Sequence, residues 1–269
     1  EELTRDGIFQ CLRRRHHYGT TGNRLDLDVT VHFETVGVVF DEDPNLVESS
    51  GNEVREVMMG DIACTADTDV NLCARITSGT PIERVEVRNG KDVVHTLRPY
   101  QEIDCDNRIR VIWQGAEYRG RGRETIWDGS AELDGCEILR YEKINAWNRE
   151  RKFQQISPQR LEWEAITTGN FGGFDAWLSN SQAGALTIGT RHVSDRIELA
   201  DVGLGDVVLD GGGLDRKIRV FRLPDENPHT TMSFSHQVRL CETGDNPLWV
   251  CVTTEDGFQA WSSPIYLFR

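Results

Sequence analysis

The sequence predicts a mainly β protein, with an antiparallel β-sandwich architecture of one or two packed β domains and a short N-terminal helix. Three observations carry this. Short runs alternate apolar and polar side chains, clusters of Gly, Asn, Asp and Pro punctuate them, and helical periodicity is confined to the start of the chain. Alternation with period two marks a strand with one buried face. Many short strands without intervening helices pack as antiparallel sandwiches or barrels.

The helix comes first. Thr4 stands as its N-cap, and Ile8, Phe9 and Leu12 fall on one stripe. It is expected over residues 4–17, running into Arg13-Arg14-Arg15-His16-His17, whose cations would oppose the negative end of the helix dipole. From Leu25 the pattern changes: Leu25, Leu27, Val29, Val31 and Phe33 alternate with polar residues. Residues 41–56 read as a polar loop. Asn89-Gly90 separates two strand-like runs, 82–88 and 91–97. That pair is a hairpin signal, with both turn residues at positive φ. Further strands are expected at 108–113, 126–133, 161–168, 174–178, 185–188, 217–223, 232–240, 248–254 and 265–268. The polar run 145–159 suggests a boundary near Pro158, which divides the chain into 1–24, 25–157 and 158–269. Thr20-Thr21-Gly22-Asn23 recurs as Thr167-Thr168-Gly169-Asn170, a match too short to make a repeat.

The formal net charge of −14 disfavours nucleic acid and anionic lipid as partners. No apolar run approaches the roughly 20 residues of a bilayer-spanning helix, so a soluble chain without a membrane partner is expected, its compartment open. Glu1-Glu2-Leu3 resembles neither a natural start nor a signal peptide, and a preceding segment is expected. Only four of the 30 basic residues are Lys. The many Arg are expected in ion-pair networks or on a solvated face. The seven Cys lack metal-site spacing and read as reduced thiols, with Cys73 and Cys251 acting as small hydrophobes within strands.

No catalytic centre is expected within the chain. The seven His form no HxH or HExxH motif, no GxSxG elbow occurs, and Gly211-Gly212-Gly213 lacks the Lys-Ser/Thr of a phosphate loop. Arg119, Arg121 and Arg123 alternate with Gly or precede Glu. They form either an anion clamp or partners for the surplus carboxylates. Trp113, Trp163, Trp177 and Trp249 fall in expected strands and read as core. Trp127 and Trp261 are the better candidates for a surface platform on which a sugar would stack.

Four strings span nearly the whole chain in order: 14–24, Pro81 to Gly90, Gly115 to Gly129, and Glu255 to Tyr266. They resemble segments of the DUF3604 family, relatives of metallohydrolases of the PHP superfamily. The resemblance implies that residues 1–24 are the last helix and turn of a metal-binding barrel otherwise absent from this chain. The divalent metal would sit in that N-terminal domain, which would be this chain's partner, and no cofactor is expected here. The chain would be the accessory C-terminal β region of a metal-dependent, phosphoesterase-like hydrolase of unassigned substrate, inactive alone. Tyr18, Thr20, Thr21 and Arg24 would lie near the barrel mouth as candidate catalytic residues. The alternative is a carbohydrate- or protein-binding sandwich module, with Arg119, Arg121, Arg123 and Trp127 contacting a small anionic or carbohydrate ligand.

Overall fold

The computed structural model describes residues 3–46, 48–120 and 123–269. The protein is mainly β, with antiparallel sheets packed together and one short α-helix. It divides into two compact units, one from Glu1–Pro99 and Pro228–Arg269, the other from Tyr100–Asn227. The expected break at 157/158 falls inside the second unit. It lies in the turn of a hairpin between the Phe153–Ser157 and Arg160–Trp163 strands. The polar run that suggested a linker supplies a cross-connection and an edge strand, whose outer face needs no apolar residues.

In the first unit the Leu25–Phe40 strand sets the core. Leu25, Leu27, Val29, Val31 and Phe33 point inward as the alternation predicts. The strand pairs with Asp69–Ser78, placing Leu27 opposite Ile76 and Val31 opposite Leu72. On its other side lies Gly51–Met58, within the segment expected as a loop. That strand is almost wholly exposed, so it carries no alternation to read. The Ile82–Asn89 and Asp92–Leu97 hairpin forms as expected, but its loop is Gly90-Lys91. Only Gly90 has positive φ, at 58°, the pattern of a II′ rather than a I′ turn. Asn89 ends the strand instead, donating to Asn246 Oδ1 at 2.9 Å.

The helix spans Arg5–Arg13, shorter than expected, and Thr4 Oγ1 caps it by accepting from Gly7 N at 3.1 Å. It stops because Arg15 turns left-handed (φ 61°) and the chain is pinned to a neighbouring turn. Arg15 Nε donates to Gly60 O at 2.9 Å, and His16 Nε2 meets Asp61 Oδ1 at 2.7 Å. Gly60 is required there, since a Cβ would sit 2.4 Å from Arg15 O. The basic stretch is thus a tether, with His16 held by a hydrogen bond to Asp61 rather than serving the helix dipole. The apolar stripe of Ile8, Phe9 and Leu12 is 50–56% exposed. No described helix is long and apolar enough to cross a membrane.

The second unit is a sandwich of two five-stranded sheets. One runs Phe153–Ser157, Arg160–Trp163, Gly129–Asp134, Ala185–Thr190, Ser194–Glu198. The other runs Ile138–Ile144, Gly172–Leu178, Arg108–Ala116, Leu214–Leu223, Val207–Asp210. Side chains from both sheets share one core, including Val111, Trp113, Phe174, Leu161, Trp163 and Ile188. Trp113 and Trp163 stack at 5.1 Å. The outer face of the Arg108–Ala116 strand is buried too. There Asp175 accepts from Arg108 Nη2 and Arg110 Nε, each at 2.6 Å. Arg222, also buried, donates to the carbonyls of Ser181, Leu199 and Val202. Arg108 and Arg110 thus sit in an ion-pair network, as expected of the many Arg, but a buried one.

All seven Cys are free. Cys251 is buried, and that burial, with Glu86 nearby, pushes its pKa up to about 12. Cys73 instead faces outward beside Asn71 and Arg75 on the polar side of its strand, so it is no core hydrophobe. Because the thiolate is the reactive form, iodoacetamide at pH 8 is expected to label exposed Cys241 and leave Cys251 intact until denaturant is added. Peptide mass mapping reads both sites. Equal labelling of the two in the native protein would contradict the burial.

Candidate functional site

The second unit carries a cavity of ≈ 230 Å³ at one margin of its sandwich. It opens where the edge strands Ile138–Ile144 and Phe153–Ser157 are joined by residues 145–152, which cross from one sheet to the other. The crossing begins with a reversal at Asn145, held at φ 53°, a conformation that Asn tolerates better than most residues. Asn145 Nδ2 donates to Phe171 O at 3.0 Å, fixing the start of the loop. Trp147 follows at the cavity rim, 69% exposed.

The inner wall is aromatic. Trp113 and Phe153 line it from opposite sheets, and both are buried. Trp113 Nε1 has no hydrogen-bond partner. Buried indole N–H groups usually find one, and an unmade bond there costs on the order of 1–3 kcal/mol. Gly172, also in the lining, lies against that atom, and a Cβ at Gly172 would stand 2.7 Å from it.

The rim is polar. Lys143 and Arg151 bring two cations and Glu164 one carboxylate, a positive balance within a chain of net charge −14. Lys143 Nζ lies over the Phe153 ring at 5.2 Å. Thr168 and Asn170 close the far side, where Asn170 Oδ1 accepts from Thr168 N at 3.0 Å. These two belong to the second Thr-Thr-Gly-Asn string. The first string does different work: Thr21 Oγ1 accepts from Gln259 N at 2.9 Å, and Asn23 Nδ2 reaches Thr80 Oγ1 at 2.8 Å.

The expected site residues are spread over both units. Tyr18 and Thr20 lie in the Tyr18–Thr20 strand, which pairs with Gln259–Ser262 in the first unit's sheet. The Tyr18 hydroxyl donates to Leu25 O at 2.7 Å, and burial together with Asp26 raises its pKa. Thr21 is committed to Gln259, and Arg24 is exposed. Arg119 is exposed, while Arg123 Nε donates to Thr168 O at 3.0 Å and braces the cavity's far rim from outside. Arg121 lies outside the described residues. Trp127 is no surface platform: it is 0% exposed and donates to Thr167 Oγ1 at 3.0 Å. It follows a two-residue strand, Thr125–Ile126, that folds it inward. Trp261 is only half-exposed.

A larger groove of ≈ 630 Å³ runs over the outer sheet face of the first unit. Its charges partner one another, Arg75 with Asp28 at 2.6 Å and His32 with Glu56 at 3.1 Å, so it offers less to a ligand. No group of three or more His, Cys, Asp or Glu among the described residues could hold a metal ion, and no ligand set here fits the metal that the resemblance implies. The cavity's own residues, Trp147 above all, escape sequence reasoning because they come from separate elements between 113 and 172. The available signal was one Trp within a polar run. Compared with known proteins, the chain matches no family model, and neither a curated protein nor a solved structure matches it significantly.

Proposed function

We propose that the chain is a ligand-binding β-sandwich module whose binding site is the cavity between Trp113, Trp147 and Phe153. One observation carries this: exposed Trp147 and buried aromatic walls line a concavity whose rim is polar and net-positive. Binding sites are mostly apolar concavities with a few convergent polar groups. Carbohydrate is the ligand class that best uses flat indole surface and side-chain amides together. A glycan array probed with the whole chain tests this. Binding to at least one sugar class is expected, with loss of that signal in Trp147→Ala. A silent array, or one indifferent to the substitution, would refute the reading.

A second reading places this module in a larger protein, as the accessory region of a metal-dependent, phosphoesterase-like hydrolase of DUF3604 type. Two features support it. The four strings resemble that family in order, and the helix before the first of them leaves Ile8, Phe9 and Leu12 uncovered, as an element that packs against a further domain would. On this reading the metal and the catalytic ligands belong to that domain. Tyr18, Thr20, Thr21 and Arg24 then support the junction.

A further inference from the structure

The cavity's charge goes beyond what a neutral sugar needs. In a chain with 44 acidic and 30 basic residues, a randomly placed pocket would be bordered mostly by carboxylates. This one has Lys143 and Arg151 against Glu164 alone. Lys143 comes from the end of the Ile138–Ile144 strand and sits over the Phe153 ring, and Arg151 lies two residues before Phe153. An apolar plate and positive charge are therefore presented together. Arg forks onto a carboxylate with two parallel hydrogen bonds, whereas Lys meets it as a point charge.

We propose that the cavity binds a six-membered sugar ring bearing a carboxylate, a uronic acid residue. The ring lies against exposed Trp147, and the carboxylate turns toward Arg151 and Lys143. Asn170 and Thr168 meet ring hydroxyls with side chains that both donate and accept. The size agrees, because ≈ 230 Å³ falls below the range of about 300–1,000 Å³ typical of drug-sized ligands and suits one ring rather than a long oligosaccharide. This inference rests on the binding-module reading and specifies its ligand.

The test is calorimetric titration of the whole chain with the methyl glycosides of glucuronate and galacturonate, alongside the glucose and galactose parents, a sulfated glucose and plain acetate. At least one uronide is expected to bind ten-fold or more tightly than its neutral parent. That advantage should shrink in 0.5 M salt, since charge attraction near a surface is screened. Arg151→Gln is expected to bring uronide and parent to within three-fold of each other, while circular dichroism shows the fold intact. Trp147→Ala, at an exposed position, should remove binding of both. Equal binding of uronide and parent, or preference for the sulfated sugar, overturns the carboxylate assignment while the module reading stands. Acetate binding as tightly as the uronides overturns the sugar part. Failure of every sugar, here and on the array, overturns both.

Discussion

Asp175→Ala is expected to destabilise the second unit by about 3–5 kcal/mol, the cost of breaking a buried ion pair by removing one partner. Asp175 is 2% exposed and accepts from two guanidiniums at once. It stands directly across from Arg110 on the neighbouring strand. Arg108, the other donor, stacks on Trp177 at 4.8 Å, and Arg140 covers the same indole at 4.1 Å. Removing the carboxylate takes from two buried cations the counter-charge they share, and Asn cannot restore it. Urea unfolding followed by Trp fluorescence reads the effect, because Trp113, Trp127, Trp147, Trp163 and Trp177 all lie in this unit. A loss below about 1 kcal/mol, the value of an exposed pair, would show that the network is hydrated in solution.

Trp127→Ala is expected to cost about 3–5 kcal/mol, as for other buried aromatic-to-Ala changes. The indole fills core volume, its N–H satisfies Thr167, and the residue's own carbonyl accepts from Trp163 Nε1 at 2.6 Å. The substitution opens a cavity and orphans the Thr167 hydroxyl. For a unit of this size the melting temperature should fall by roughly 10–20 °C. A surface platform would behave otherwise, since exposed substitutions usually stay within about 0.5 kcal/mol. Calorimetry therefore separates the two placements of Trp127 without any ligand.

Strands with one wet face were legible in the sequence. Leu25–Phe40 as far as Phe33, and Asp69–Ser78, bury every second residue, and the alternation follows from that geometry. Edge strands such as Gly51–Met58 were not legible, because with little to bury they have no pattern to show. Arg108–Ala116 was expected as a strand at 108–113, and only its burial went unread. Both of its faces are buried, one under Arg side chains whose partner lies 65 residues away in sequence. Spacing alone gives no hint that an Arg is sequestered. Trp127 was misplaced for a related reason: the strand before it is two residues long, and so short an element leaves no period from which to infer a facing direction. The cavity was hidden because it depends on tertiary closure. Trp113, Trp147 and Gly172 meet only when residues 145–152 join the two sheet edges.

The insertion of residues 100–227 between two halves of the other unit sets an order on synthesis. The Asp69–Ser78 strand is made before residues 100–227, but its partner Thr231–Arg239 and the Asn246–Thr254 strand that pairs with Ile82–Asn89 are made after them. By then every strand of the inserted unit has left the ribosome. The inserted unit therefore has all its strands available before the unit that surrounds it does. Until the last 42 residues appear, the first 99 hold unpaired strand edges, the surfaces from which aggregation starts. A collapsed insert also brings the two halves together more readily than a flexible loop of the same length, for which closure entropy grows with residue number.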